Sequence, residues 1–318
     1  MAYRLYSQPS VCSWFHSDEP HNKAYRRIHP MKALFTADLH YNVSRSTEPA
    51  RRLIERINDS DADVVVLVGD TAGHDTAILS ECLHLFDSFG GDKLFVVGNH
   101  ELWTHDGESL ERYERELPAV AREAGFHYLD AEPFVRDRVA FVGSVGWYDY
   151  SFRRRELEIP IRFYQAKVAP GAAARFAEFR HLLEPADDTP DAARSITTRW
   201  MDGEYVRLPF SDVRFVEILC EKLDRHLCDL PEDITAVVAC VHHLPFAEFV
   251  RTTRSPAWDF GNAFMGAERI GEVLLRHPLV RYVFCGHSHR SGSFQKGSIR
   301  CTNIGSTYRA KRCETLEC

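Results

Sequence analysis

The chain has 318 residues, 44% hydrophobic and 27% charged, which are the proportions of a globular protein and exclude a disordered or fibrous one. Lys and Arg number 39 and Asp and Glu 46, so the formal charge is −7, against general binding to nucleic acid or to an anionic membrane. Nine cysteines without a CxxC pair read as reduced thiols of a soluble, cytoplasmic protein; no signal peptide is visible, and no apolar run reaches the roughly 18 residues that span a bilayer.

Residues 1–30 show no hydrophobic period and are read as an N-terminal extension, with translation from Met31 as one reading. Beyond it the chain alternates strand and helix signals, the rhythm of an α/β domain over 31–318. The spacing predicts a strand over Lys32–Ala37 and a helix over Pro49–Asn58, where Leu53, Ile54 and Ile57 share a face. It then predicts a buried strand over Asp63–Val68, a helix over Thr76–Phe89 and a strand over Lys93–Val97. A charged helix over 108–124 is expected to break at Pro118, which lacks the N–H of the helical ladder. A hairpin turning around Arg136–Arg138 comes next, within Phe134–Val142. Residues 151–206 carry prolines at 160, 170, 185 and 190 and no strand pattern, so they predict a helical insertion held by Phe176, Phe179 and Trp200. The rhythm resumes with a helix over 211–228, a strand over Ala236–Val241, a helix over 266–276 and a strand over Arg281–Cys285. A closing hairpin joins Gly292–Gln295 to Ser298–Asn303.

Functional groups in open α/β sheets gather just past the carboxyl ends of strands. Those ends read Asp38-Leu39-His40, Gly69-Asp70, Gly98-Asn99-His100-Glu101, His242-His243-Leu244-Pro245 and Gly286-His287-Ser288-His289. Any one of them is an ordinary turn, but turn chemistry does not explain why all five strands end this way. Oxygen donors mixed with imidazole suit Mn, Fe, Zn or Ni, and about seven donors exceed the needs of one ion. Two divalent metal ions about 3.5–4 Å apart, sharing a carboxylate, account for the set. On an extended segment Asp38 and His40 would face the same side and chelate one ion. His287 and His289 would do the same, or be split between two ions.

This ordered set resembles the signature of the calcineurin-like metallophosphoesterases, D-x-H, G-D, G-N-H-[DE], a later His before Pro, and G-H-x-H. The matches run from Asp38 to His289. The resemblance implies an α/β fold of the four-layer α/β/β/α kind, two mixed sheets with helices outside, to which the helical insertion read at 151–206 would add a cap. It also implies one metal on Asp38, His40, Asp70 and His289, and a second on Asp70, Asn99, His242 and His287, with Asp70 bridging. His100 then contacts substrate phosphate and assists the leaving group. His242 is taken over His243 on the resemblance alone.

The reaction expected of such a centre is hydrolysis of a phosphomonoester or phosphodiester by a hydroxide that two cations generate near neutral pH. The substrate expected is a small-molecule phosphate ester. A nuclease of the same superfamily, or a scaffold with this fold and no catalysis, are the alternatives, which the acidic charge and the complete donor set disfavour respectively. Glu101 is expected to anchor its loop, or simply to cap the next stretch of chain. Trp147, Tyr148 and Tyr150 belong to the core or line the pocket, and Arg153, Arg154 and Arg155 form a solvated helix face or bind further phosphates. His74 is a bystander near the site. The insertion is expected to cover or flank the centre and to govern substrate choice.

Overall fold

A strand that is apolar on both faces needs a covering layer on each. Strands β1 (Lys32–Thr36), β2 (Val64–Val68), β3 (Asp92–Val96) and β4 (His127–Tyr128) are parallel neighbours in that order. In the computed structural model, which describes residues 30–184, 188–253 and 255–318, β2 is buried at every position. Val64, Val66 and Val68 enter one hydrophobic cluster, Val65 and Leu67 another, as a period of two requires. The extension read over 1–30 lies outside the described residues except for Pro30, and so does Pro185.

The second sheet holds β5 (Phe134–Arg136), β6 (Val139–Ser144), β7 (Ala236–Val241), β8 (Val280–Cys285), β9 (Gly292–Lys296) and β10 (Ile299–Asn303), in spatial order 5-6-7-8-10-9. It alternates like the first. Phe141, Val238, Cys240 and Phe284 join the cluster of Val64, while Ala140, Val142, Val237, Ala239, Val241 and Val283 join the other. Phe35 of β1 stacks on Phe284 of β8 with centroids 3.7 Å apart, so the two sheets meet face to face there. Both are mixed, since β1 pairs antiparallel with a last strand, β11 (Glu314–Glu317), and β5 and β9 also run antiparallel to their partners.

Helices cover the outer faces. Helix α1 (Ser44–Asn58) buries Ala50, Leu53, Ile54 and Ile57, and α2 (Thr76–His84) buries Leu79, Cys82 and Leu83. Later come a single-turn helix α3 (Asn99–Leu102), the long α4 (Asp212–Cys228) and α5 (Glu268–Arg276). Helix α4 turns Phe215, Val216, Leu219 and Leu223 inward and packs on β6 and α5. The result is the four-layer α/β/β/α arrangement expected from the resemblance.

Local differences have local causes. Helix α1 starts at Ser44 rather than Pro49, because the Ser46 and Thr47 hydroxyls donate to Leu39 O and Tyr41 O and fix the first turn ahead of the proline. Helix α2 stops at His84, and the chain continues to Phe89 in tighter i→i+3 turns. The break expected at Pro118 is a π-helical stretch, Arg112–Glu116, just before it. The β5–β6 turn places Asp137 and Arg138 at φ 48° and 66°, as a tight hairpin demands. Strands β4 and β11 were not expected: β4 has two residues, and in β11 only Leu316 is buried.

Residues 151–206 contain short helices, Ile161–Gln165, Pro170–Ala173 and Asp202–Tyr205, and 3₁₀ turns before and between them. Among the described residues of this segment there is no strand, only an isolated bridge from Val168 to Arg199. The Arg199 guanidinium lies over Phe176 at 4.6 Å and over Phe179 at 5.8 Å.

Candidate metal centre

The five strand ends converge on one place. Asp38 and His40 follow β1, Asp70 follows β2, Asn99 opens α3 after β3, His242 follows β7, and His287 and His289 follow β8. Backbone bonds lock the first loops together: Asp38 N–H donates to Gly69 O at 3.0 Å and His40 N–H to Asp70 O at 2.8 Å. The packing is close enough to demand glycine. A methyl group on Gly69 would overlap the His242 ring, and one on Gly98 would overlap the Asp70 carboxylate.

Donor atoms assemble in overlapping groups, each with its atoms within 4.8 Å of one another: Asp38, His40 and His289; His40, Asp70 and His100; Asp70, His242 and His287. Asp70 Oδ2 lies 3.6 Å from His40 Nε2, 3.5 Å from His242 Nε2 and 3.8 Å from His100 Nε2. His40 and His289 face each other with Nε2 atoms 3.2 Å apart. His287 and His289 therefore go to different groups. The extended geometry expected for Asp38 and His40 is not what joins them. Both lie in the left-handed region, φ 55° and 42°, as do Asp70 (52°), His287 (65°) and His289 (55°). Such conformations cost about 1–3 kcal/mol each for a residue with a side chain, and they cluster where geometry serves a function.

Between the two adjacent histidines the structure separates roles. His242 holds Val68 O through Nδ1 at 2.9 Å and turns Nε2 to Asp70. His243 holds Val145 O through Nδ1 at 2.7 Å and packs beside Trp147 and His287, outside every donor group. Burial pushes His243 down to about 3, so it is neutral. Burial also opposes protonation of His242, but the Asp70 carboxylate overrides it and raises His242 to about 9. Around Asp70 burial favours the neutral acid, yet the imidazoles of His100, His242 and His40 hold it well below the usual carboxylate range.

Positive charge is what this pocket asks for, and the unpartnered atoms say where. Asp38 Oδ2, Asn99 Oδ1 and His242 Nε2 are buried without a hydrogen-bond partner. Unpartnered oxygens on Asp and Asn beside the His242 nitrogen are a donor set for divalent cations, a cation there taking the place of the His242 proton, so the residues present fit the metals that the sequence implied.

Around this cluster the loops are held by carboxylates. Glu101, fully buried, accepts Asp70 N–H and Gly98 N–H on Oε2 and Ala72 N–H and Gly73 N–H on Oε1, all at 2.8–3.1 Å. It anchors the loop, as one reading of the sequence had it. Asp202, from the end of the insertion, was not singled out by the sequence. Buried to 1% exposure, it accepts Asn99 Nδ2 at 2.9 Å, and no pattern in Arg199–Tyr205 announces this.

His100 stands at the rim. Its backbone N–H donates to Asp70 Oδ1 at 3.0 Å and its ring stacks on Trp103, centroids 4.0 Å apart. Trp147, Tyr148 and Tyr150 are core: all are at most 2% exposed and donate to Asp212 or Asp202. Arg154 is neither on a helix face nor free for phosphate, because it pairs with the buried Asp259. His74 packs edge-on against His105 and enters no donor group.

A cavity of about 450 Å³ opens on the cluster. Asp70, Asn99, His100, His287 and His289 line it at the polar side, and Leu244, Phe249, Val250, Trp258 and Met265 supply apolar wall. No described helix is long and apolar enough to cross a membrane.

The sequence model of the calcineurin-like phosphoesterase family matches residues 31–291. Among solved structures, the phosphopantetheinyl hydrolase from Mycobacterium tuberculosis is similar at a TM-score of 0.65 and 16% identity, over 88% of this chain and 91% of that one. A dimetal phosphatase from Danio rerio is similar at 0.52 and 16%, over 91% and 93%. At such identities the likeness is one of fold. The curated proteins gave no significant match.

Proposed function

The chain belongs to the calcineurin-like phosphoesterases, and from that membership we propose that it hydrolyses a small-molecule phosphate ester at a dinuclear metal centre. The observation that carries this reading is the convergence of side chains from five strand ends into overlapping donor groups that share His40 and Asp70, with the Asp38 and Asn99 oxygens buried and unpartnered. Asp38, His40, Asp70 and His289 would hold one ion, and Asp70, Asn99, His242 and His287 the other. Two bound divalent cations supply electrostatic clamping of phosphate oxygens and a water acidified toward neutral pH. Mn, Fe, Zn and Ni all suit the donor set.

The chain's own groups do the rest. Glu101 and the left-handed loops keep the donors in place before substrate arrives, so little reorganisation is left for the reaction. His100, on the cavity side of Asp70, binds a phosphate oxygen or delivers a proton to the departing alcohol. The apolar wall of Leu244, Phe249, Val250, Trp258 and Met265 takes the alcohol portion, which favours an ester with an apolar or aromatic alcohol over a bare sugar phosphate. Trp200 of the insertion lines the same cavity, consistent with 151–206 acting as a cap on a domain spanning 31–318.

The test is a panel of esters assayed with Mn, Ni, Zn or Mg added to metal-stripped protein. Hydrolysis should require metal, and 3-phenylpropyl phosphate should be cleaved with a higher kcat/KM than glycerol phosphate, whose alcohol is a comparably poor leaving group. No metal-dependent hydrolysis of any ester would refute the reading, and equal rates for the two esters would refute the apolar alcohol.

A further inference from the structure

Asn99 presents a symmetry problem that the cluster by itself does not solve. Its amide has an oxygen and a nitrogen at nearly equivalent positions, and only the oxygen can face a cation. A half-turn of the side chain would aim two N–H bonds at the metals instead. Something must tell the two ends apart.

A carboxylate does so, because it accepts hydrogen bonds and cannot donate them. Asp202 Oδ1 accepts Asn99 Nδ2 at 2.9 Å and Trp103 Nε1 at 2.6 Å. Its Oδ2 accepts Trp200 Nε1 at 2.7 Å and Tyr148 Oη at 3.1 Å. With the nitrogen taken, Asn99 Oδ1 is the end left buried and unpartnered. Trp103, held by the same oxygen, is the ring on which His100 stacks, and Trp200, held by the other, forms cavity wall.

We propose that Asp202 is a positioning residue that fixes Asn99 as an oxygen donor and seats His100 through Trp103, so that the insertion helps to build the centre it covers. This rests on the metal-centre reading above, since the orientation of Asn99 matters only to a cation. It also revises the expectation for the insertion, whose removal would take the Asp202 carboxylate away from Asn99 and so affect metal retention as well as substrate choice.

The experiment titrates Mn into metal-free protein and counts bound ions. Wild type should bind two. Asp202→Asn, which meets four donors with one acceptor oxygen and an NH₂ group, should bind the first ion normally and the second about 10–100-fold more weakly, the scale for lost support of a ligand. Asn99→Ala should show a similar loss, and the double variant should be no worse than Asn99→Ala alone. Additive losses, or wild-type binding by Asp202→Asn, would overturn the role while leaving the dinuclear reading intact. Failure of wild type to bind a second ion would overturn both.

A measurement on the unaltered protein covers the case in which Asp202→Asn does not fold. The side-chain amide of Asn99, identified in ¹⁵N spectra by its absence from Asn99→Ala, should exchange slowly with solvent in the metal-free protein. Rapid exchange would show that Asp202 does not hold it.

Discussion

The backbone N–H of His287 donates to Asp38 Oδ1 at 3.0 Å, tying the end of β8 in one sheet to the end of β1 in the other. One oxygen of Asp38 thereby serves the scaffold, and the other, Oδ2, is the buried atom without a partner. Asp70 is divided in the same way: Oδ1 accepts His100 N–H, while Oδ2 faces three imidazoles. Each carboxylate both shapes its loop and offers an oxygen to the cluster.

Asp70 is common to two of the donor groups. Asp70→Asn keeps the size of the side chain but removes the charge that both cations would share. Activity should fall by more than the roughly 10–100-fold that loss of an outer partner of a metal ligand costs, and bound metal should drop below two per chain. Elemental analysis of the purified variant decides the matter, since two retained ions with near-native turnover would exclude a bridging role.

His100 separates metal binding from chemistry. His100→Ala should retain both ions and slow turnover by about 10²–10⁴-fold if the imidazole is a general acid. The loss should be larger for alkyl esters, whose alcohols leave poorly without a proton, than for p-nitrophenyl esters. Equal losses would assign His100 to phosphate binding alone, and loss of metal would make it a ligand through its place beside His40 and Asp70.

Glu101 governs stability. In Glu101→Gln one end of the side chain becomes a donor facing backbone N–H groups that the carboxylate now accepts. Leaving two buried donors unsatisfied should cost about 2–5 kcal/mol. Urea denaturation of the metal-free protein measures it free of any effect on metal affinity, and a change below about 0.5 kcal/mol, the range of a neutral surface substitution, would show that the loop is held by other means.

How much of the fold is legible in the sequence depends on where the information lies. Strands β1, β2, β3, β7 and β8 were legible because their apolar runs are continuous, and the candidate donors stood out because each comes within a few residues of a strand end, as Asp70 does after Val68. Helix α1 was read short because its first turn is secured by Ser46 and Thr47 bonding back to the preceding loop, not by an apolar stripe. Strand β11 was missed because its evidence is pairing with β1, from Lys32 opposite Glu317 to Phe35 opposite Glu314, and no local pattern encodes a partner that far away. Asp202 was invisible for the same reason. Its role is defined by Asn99 and Trp103, about a hundred positions earlier, and nothing in Met201–Glu204 distinguishes it from a surface aspartate.

The left-handed backbone at Asp38, His40, Asp70, His287 and His289 has a consequence for any attempt to harden this protein by directed evolution. Glycine adopts that conformation freely. A glycine at His289 would discard a candidate donor atom and relieve a strain of about 1–3 kcal/mol, making the metal-free fold more robust, whereas one at Asp38 or Asp70 would also leave the His287 or His100 N–H without its acceptor. Heat resistance used as the sole criterion would therefore erode the centre before the surface. A library screened with a chelator present would drift toward His289→Gly, and one screened with Mn in excess would be driven away from it.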